Sequence, residues 1–460
     1  MVIESLKNLD GASRRNFLRF TAAAGAIFAL DRAKVLDVIS DSAGTAMADD
    51  SCATTLRSVH IVAGDGGFAW FNLLFPHVEI ATSSDPNFAF HAKGMAVQAK
   101  DTDKPFYFAP ETPWQQLGKG KRISAFMAGQ NQTHTPTPSS SATLGAGQSM
   151  LAVVAAIQRA TPSLLPVIGV NPISFGNASG APDIATVGNA DGMVQLFNSA
   201  ASQAILQKPK DAALFEAYYK AFATFDKAAD RPTWSRSLRT GKASANFLGK
   251  NLAAQLAPSA QDLKNYGIDS GTPTKLSEIG RTLITASRAF KLGLTQSVIL
   301  PAMRDDPHGA FGNMANLMMT VKMLGGMLDQ FLADLGAIKD PLCSSRTLAD
   351  DVVLTIHGDT PKDPRNMNGW PDGTPNNTNW LYVMGNGYLK TGWFGAVKAD
   401  GSTTGFDPTT GDEVPGQSSM ATAPAAGAAV AYAIAKGDMK RVNDFYSGPA
   451  LDGIINKNPL

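Results

Sequence analysis

The feature that most constrains the fold is a series of short, β-branched and apolar segments separated by segments with helical periodicity. Six such apolar segments are predicted core strands: 57–63, 123–127, 165–170, 296–300, 351–356 and 380–384. The principal predicted helices are 150–160, 211–230, 274–292, 314–335, 421–435 and 439–446. This alternation predicts an α/β fold in which a mostly parallel, doubly wound sheet carries helices on both faces. Because the composition does not change abruptly, residues 49–460 are predicted to form one domain.

The first 48 residues are predicted to be an export leader. Arg14 and Arg15 precede Phe17 and Leu18 in the twin-arginine pattern, and 20–30 form a short apolar run. Because a membrane span requires roughly 20 apolar residues, this run is too short to be one. Residues 46–48, Ala-Met-Ala, resemble a cleavage site, although the long polar stretch before them leaves an uncleaved N-terminal helix open. The predicted location is the periplasm or the exterior, with no membrane span after leader removal.

Charge and cysteine content narrow the classes of partner and compartment. A hydrophobic content of 44% with 17% charged residues indicates a globular protein. The net charge of +1 gives no field that would attract a phosphate backbone, so we expect no nucleic-acid partner. Cys52 and Cys343 each precede a predicted core strand, and they would be close enough for a disulfide if those strands are parallel neighbours. Two buried thiols remain the alternative.

Ionisable residues follow several predicted strands at the point where each strand ends. Asp65 follows the first strand between glycines, and the pair Thr133 and His134 follows the second. Asp306 and His308 follow the strand at 296–300, where open α/β sheets expose reactive groups. Each of these segments is also compatible with an ordinary turn, and an aspartate before Pro307 is typical of a helix start.

The order of these segments resembles the exported, often twin-arginine-secreted bacterial proteins of the alkaline phosphatase and sulfatase superfamily. Members have an aspartate after the first strand, which Asp65 matches, and a Ser-His pair, to which Thr133-His134 is similar. Residues 306–309, Asp-Pro-His-Gly, match the family's Asp-Thr-His-Gly with one change. Residues 357–361 align with its Phe-Gly-Arg-Thr-Pro motif, although Ile356 stands where the family has Glu. Asn376-Asn377 falls where the family has an Asp-His pair.

The resemblance implies an alkaline-phosphatase-like fold and one divalent metal ion, either zinc, manganese, calcium or iron. The implied metal ligands are Asp65, Asp306, His308 and Asp359. The implied catalytic residues are Thr133 as a weak candidate nucleophile, with His134 or His357 positioning substrate or moving a proton. The implied function is an exported metal-dependent hydrolase of phosphate or sulfate esters, with a small-molecule ester as substrate. The alternative is a catalytically degenerate relative that binds an envelope partner.

Overall fold

The structure is a computed structural model that describes residues 52, 55–85, 96–110, 122–132, 134, 140–145, 147–161, 163–171, 173–198 and 251–457. Three predictions therefore fall outside the described residues. They are the leader at 1–48, the helix at 211–230 and the position of Thr133.

Seventeen strands occur in the described residues. In chain order they are β1 (Arg57–Ala63), β2 (Val97–Gln98), β3 (Tyr107–Phe108), β4 (Ile123–Gln130), β5 (Thr143–Gly145), β6 (Gln148–Ser149), β7 (Leu165–Val170), β8 (Ala185–Val187), β9 (Thr295–Ala302), β10 (Lys339–Asp340), β11 (Cys343–Thr347), β12 (Val352–Gly358), β13 (Thr378–Met384), β14 (Gly392–Phe394), β15 (Ala396–Val397), β16 (Thr403–Phe406) and β17 (Glu413–Pro415). Eight of them form the central sheet in the order β14-β4-β13-β12-β1-β9-β7-β8.

The central sheet is mostly parallel. The pairs from β12 through β1, β9 and β7 to β8 are all parallel, whereas β13 is antiparallel to both of its neighbours, β12 and β4. Seven strands therefore point one way and β13 points the other. All six predicted core strands belong to this sheet, which confirms the predicted α/β class.

Eleven α-helices occur in the described residues. They are α1 (Ala69–Leu74), α2 (Val78–Thr82), α3 (Met150–Gln158), α4 (Ala190–Leu196), α5 (Leu252–Leu256), α6 (Ala260–Asn265), α7 (Thr274–Lys291), α8 (Met314–Ala337), α9 (Leu348–Asp351), α10 (Ser419–Ile434) and α11 (Met439–Asn443). Buried side chains of α1, α7 and α8 belong to one hydrophobic cluster, and those of α3 and α10 belong to a second. Since both clusters contain side chains from the central strands, helices cover both faces of the sheet.

The longest of these helices, α8, follows the predicted apolar periodicity. Leu317, Val321, Leu324 and Leu328 recur at spacings of three or four and are all buried. The side chain of Asn313 caps its first turn by accepting a hydrogen bond from the Asn316 amide. The helix therefore begins several residues after Asp306, and the aspartate is not its cap.

Cys52 and Cys343 form a disulfide at the amino-terminal edge of the sheet. This edge is near the starts of β1 and β12, which are parallel neighbours, as the predicted disulfide required. Arg57, the first residue of β1, pairs at 2.6 Å with buried Asp340, which lies opposite Cys343 in the β10–β11 hairpin. The disulfide and the ion pair together fix the start of β1 against the β10–β11 hairpin.

Candidate metal centre

The candidate site lies at the edge where the parallel strands end. β1 lies between β12 and β9, so the loops that begin at Gly64, Asp359 and Met303 leave the sheet side by side. Because β4 points the same way, the loop that contains His134 leaves at this edge as well. The antiparallel β13 begins here, which brings the segment before Thr378 to the same place.

Two glycines after β1 allow the loops to approach each other closely. A Cβ atom added to Gly67 would lie 1.2 Å from the Met303 carbonyl oxygen, and one added to Gly66 would lie 3.1 Å from Asp306 Oδ1. The Gly66 amide donates a hydrogen bond of 2.8 Å to Asp359 Oδ2. Asp65 and Gly66 both have positive φ, at 52° and 80°, so the chain turns sharply here. The turn fixes the distance between the loops after β9 and β12.

Four side chains at this edge form a compact cluster of metal-ligand types. One ligand atom from each of His134, Asp306, His308 and Asp372 lies within 4.8 Å of the others. His308 Nε2 is 2.9 Å from Asp306 Oδ2, and His134 Nε2 is 3.1 Å from Asp372 Oδ2 and 3.5 Å from Asp306 Oδ2. Neighbouring ligand atoms in a tetrahedral zinc site, with bonds of roughly 2.0–2.1 Å, are about 3.3 Å apart. These three His–Asp separations are close to this spacing, so the four side chains could hold a divalent ion.

The ring orientation of His308 also fits a metal ligand. Its Nδ1 lies 3.0 Å from the Trp370 carbonyl oxygen and 3.2 Å from that of Gly369, and 3.4 Å from Lys362 Nζ. In the tautomer with the proton on Nδ1, this nitrogen donates to one of the two carbonyls, which are its nearer contacts. The lone pair of a neutral His308 is then on Nε2, which faces Asp306. A backbone carbonyl that orients the non-ligating nitrogen is the usual support for a metal-bound histidine.

Lys362 is an unpredicted member of the site. Its side chain is completely buried, and its Nζ lies 2.9 Å from Asp306 Oδ1 and 2.7 Å from Asp372 Oδ1. Asn72, a buried residue of α1, anchors the loop by donating hydrogen bonds to the carbonyls of Pro361 and Lys362. The ammonium group is therefore held between the two carboxylates from the interior side.

The carboxylates at this edge titrate differently because their surroundings differ. Burial alone would raise the pKa of Asp372, but the hydrogen bond and charge of Lys362, with His134 and His308 nearby, hold it below its usual range. Burial and the negative charge of Asp65 raise the pKa of Asp359 to about 6, although backbone amides partly oppose the shift. Asp372 is therefore ionised near neutral pH, whereas a fraction of Asp359 holds a proton.

Three of the predicted site residues, His134, Asp306 and His308, come together in the cluster. Asp65 and Asp359 belong to the neighbouring loops and lie close to each other, but they are not members of the four-residue group. Asp305 is exposed and pairs with Lys275 at 2.7 Å, as expected for a solvated neighbour.

The predicted catalytic residue His357 lies inside the core. Side chains along β12 alternate between the two faces of the sheet. His357 lies on the same face as Val353, which belongs to the hydrophobic cluster covered by α3 and α10. Burial lowers its pKa to about 4, and neither ring nitrogen has a hydrogen-bond partner among the described residues. As placed, His357 supports the sheet beneath the site and does not face the four-residue cluster.

Sequence reasoning missed Lys362 and Asp372. The long loop between β12 and β13 has no periodicity, and the family's Asp-His pair aligns with Asn376-Asn377, where both ionisable groups are missing. Asp372 is the one aspartate between residues 364 and 379, in a Trp-Pro-Asp-Gly turn, and this was the available signal. For Lys362, a lysine directly after Pro361 gave no comparable indication.

Comparison with known proteins found no family model, no curated protein and no solved structure that matches the chain. Within the described part of the chain, every helix is too short or too polar to cross a bilayer.

Proposed function

We propose that this protein is an exported, metal-dependent hydrolase of phosphate or sulfate esters. The observation that carries the proposal is the cluster of two imidazole nitrogens and two carboxylate oxygens at the carboxyl edge of the sheet. The motif resemblance supports it, because Asp306 and His308 belong to the best-matched motif and are members of the cluster. We assign the alkaline-phosphatase-like fold as part of the same proposal.

His134, Asp306, His308 and Asp372 would hold the ion. A bound divalent ion supplies Lewis-acid polarisation of a phosphoryl or sulfuryl oxygen. The side chains of His134 and His308 are each 45% exposed, so an ester can reach the cluster from solvent. The chain's own contribution is to orient His308 through the Trp370 carbonyl and both carboxylates through Lys362. Thr133 remains the proposed nucleophile on sequence grounds alone.

A second candidate function is a metal-binding envelope protein without hydrolase activity. The observation that favours it is the position of Asp65 and Asp359, which the resemblance assigns to metal binding but which lie outside the cluster. One ion held by four ligands can serve structure or partner binding without turnover.

Metal content and turnover, measured on the same protein, test the proposal. Protein purified without chelator should contain about one equivalent of divalent metal and should hydrolyse p-nitrophenyl phosphate or p-nitrophenyl sulfate. We expect His308→Ala to lower turnover by more than about 100-fold, because it removes a ligand rather than a supporting group. The matched control is Asp305→Asn, in the same loop but outside the cluster, which should retain activity. Metal without turnover would favour the second candidate, and protein that binds no metal would contradict both.

The export prediction is part of the proposal and has its own test. A disulfide is typical of oxidising compartments, so the Cys52–Cys343 bond supports a location outside the cytoplasm. Replacing Arg14 and Arg15 with lysine should retain the full-length protein in the cytoplasm, measured by cell fractionation. Unchanged periplasmic or secreted protein in that variant would contradict twin-arginine export.

A further inference from the structure

Lys362 engages one oxygen of each carboxylate in the cluster. Its Nζ lies 2.9 Å from Oδ1 of Asp306 and 2.7 Å from Oδ1 of Asp372. The shortest contacts of the two histidines are instead to the Oδ2 atoms, at 2.9 Å for His308 with Asp306 and 3.1 Å for His134 with Asp372. Each carboxylate therefore presents Oδ2 to its nearest histidine and Oδ1 to the ammonium group, and Asp372 Oδ1 also lies 3.7 Å from His308 Nε2.

The ammonium group is fixed in this position. The Lys362 side chain is completely buried, its backbone has a positive φ of 61°, and its carbonyl accepts a hydrogen bond from buried Asn72. A buried ammonium that leaves its carboxylates would remain desolvated and unpaired, which is strongly unfavourable. The two Oδ1 atoms are therefore not free to turn toward an ion on the histidine side.

We propose that Lys362 determines which metal this site binds, by restricting Asp306 and Asp372 to one donor oxygen each and so favouring four-coordinate zinc-type ions over calcium. Calcium takes six to eight oxygen ligands and often binds carboxylates through both oxygens. The cluster offers two oxygens and two imidazole nitrogens, and imidazole is a ligand for zinc, copper, iron and nickel. The inference rests on the proposed metal site but not on hydrolase activity.

Charge leads to the same preference. Asp306 and Asp372 carry two negative charges, and the ammonium group of Lys362 reduces the sum for the three residues to one. A hard cation such as calcium is held mainly by the charge of its oxygen ligands, so this loss weakens calcium more than an ion with strong bonds to imidazole. Lys362 is thus a positioning residue that contacts the ligands and not the substrate.

The test compares Lys362→Met with the wild-type protein. Methionine keeps the length and the apolar stem of the side chain but removes the charge and the donors. Lys275→Met is the matched control, because Lys275 on α7 pairs with exposed Asp305 at 2.7 Å, the same distance as Lys362 to Asp372. Lys362→Gln, which keeps a neutral donor, serves as the second variant if Lys362→Met does not fold by circular dichroism.

Cobalt(II) absorption and competition between zinc and calcium are the two readouts. Four-coordinate cobalt absorbs visible light much more strongly than six-coordinate cobalt. We expect strong absorption in the wild type and in Lys275→Met, and weaker absorption in Lys362→Met because the freed Oδ1 atoms add ligands. The ratio of zinc to calcium affinity should fall by about tenfold or more in Lys362→Met, which corresponds to roughly 1.4 kcal/mol.

The outcomes separate this inference from the proposed function. Wild-type protein that binds cobalt or zinc, together with an unchanged spectrum and affinity ratio in Lys362→Met, would overturn the role of Lys362 and leave the metal site standing. Wild-type protein that prefers calcium to zinc would likewise overturn the role of Lys362 and leave the metal site standing. Wild-type protein that binds neither cobalt, zinc nor calcium would overturn the metal site itself and this inference with it.

Discussion

Individual residues in this chain divide into those that a motif identifies and those that only the fold brings to the site. Asp306 and His308 share one short segment, and their spacing of two positions marked them in the sequence. Asp372 and Lys362 come from a loop without periodicity, and the place of Asp372 depends on the direction of β13. A sequence pattern gives the presence of a strand but not its direction, so Asp372 could not be placed beforehand.

Buried histidines make a residue-scale prediction about pH. Burial lowers the pKa of His77 to about 3 from 6.5, and its ring packs against Trp380 and Trp393 with centroids 4.4 and 4.3 Å away. The folded state therefore keeps His77 neutral, while the unfolded state takes up a proton below pH 6.5. The stability that this residue contributes is complete above pH 6.5 and is lost as the pH falls toward 3.

We expect His77→Phe to remove this part of the pH dependence. Between pH 7.5 and pH 5.5 the wild-type free energy of unfolding should fall by about 1.4 kcal/mol more than that of the variant. Urea unfolding of both proteins at the two pH values measures the difference. Comparing each protein with itself cancels any change in packing, and equal losses in the two proteins would show that His77 does not titrate in this way.

At the scale of elements, the sequence predicted the strands and helices but not which loops contact each other. The apolar segments at 57–63, 296–300 and 351–356 became β1, β9 and β12, three adjacent parallel strands. Their adjacency explains why the loops that follow them meet at one edge. The close approach at Gly67 could not be predicted, because a Gly-Gly pair in the sequence indicates a turn but does not identify the residue that packs against it.

Gly67 gives a prediction about the close contact between the loops that follow β1 and β9. A methyl group at this position would overlap the Met303 carbonyl, so Gly67→Ala must displace the loop after β9. We expect a loss of about 1–3 kcal/mol in the free energy of unfolding, together with weaker metal binding. Gly309→Ala is the control, because an added Cβ at Gly309 has no described atom within 4 Å and should change stability by less than about 0.5 kcal/mol. Equal stability of the two variants in urea would contradict the close contact.

For the whole molecule, the sequence predicted the α/β class, the mostly parallel sheet and the helices on both faces. It left the pairing of the cysteines open, because a bond between residues 291 positions apart depends on the order of strands in the sheet. Once β1 and β12 are neighbours, the two cysteines near their starts can meet. The disulfide and the candidate site lie at opposite ends of these strands.

The disulfide therefore makes a prediction about the stability of the whole chain. Replacing both cysteines with serine should lower the free energy of unfolding by about 2–5 kcal/mol, because the bond restricts a long loop in the unfolded state. Thermal unfolding with and without reductant provides the measurement. Reductant should destabilise the wild type and leave the double variant unchanged. A wild type that is insensitive to reductant under conditions that cleave the bond would contradict the prediction.

The central claim is that His134, Asp306, His308 and Asp372 hold one divalent ion. Anomalous diffraction at the zinc absorption edge, from crystals grown with zinc, tests it most directly. We predict one peak within about 2.3 Å of both Nε2 atoms and both Oδ2 atoms. Direct ion pairs between these histidines and aspartates, with no peak among them, would contradict the claim.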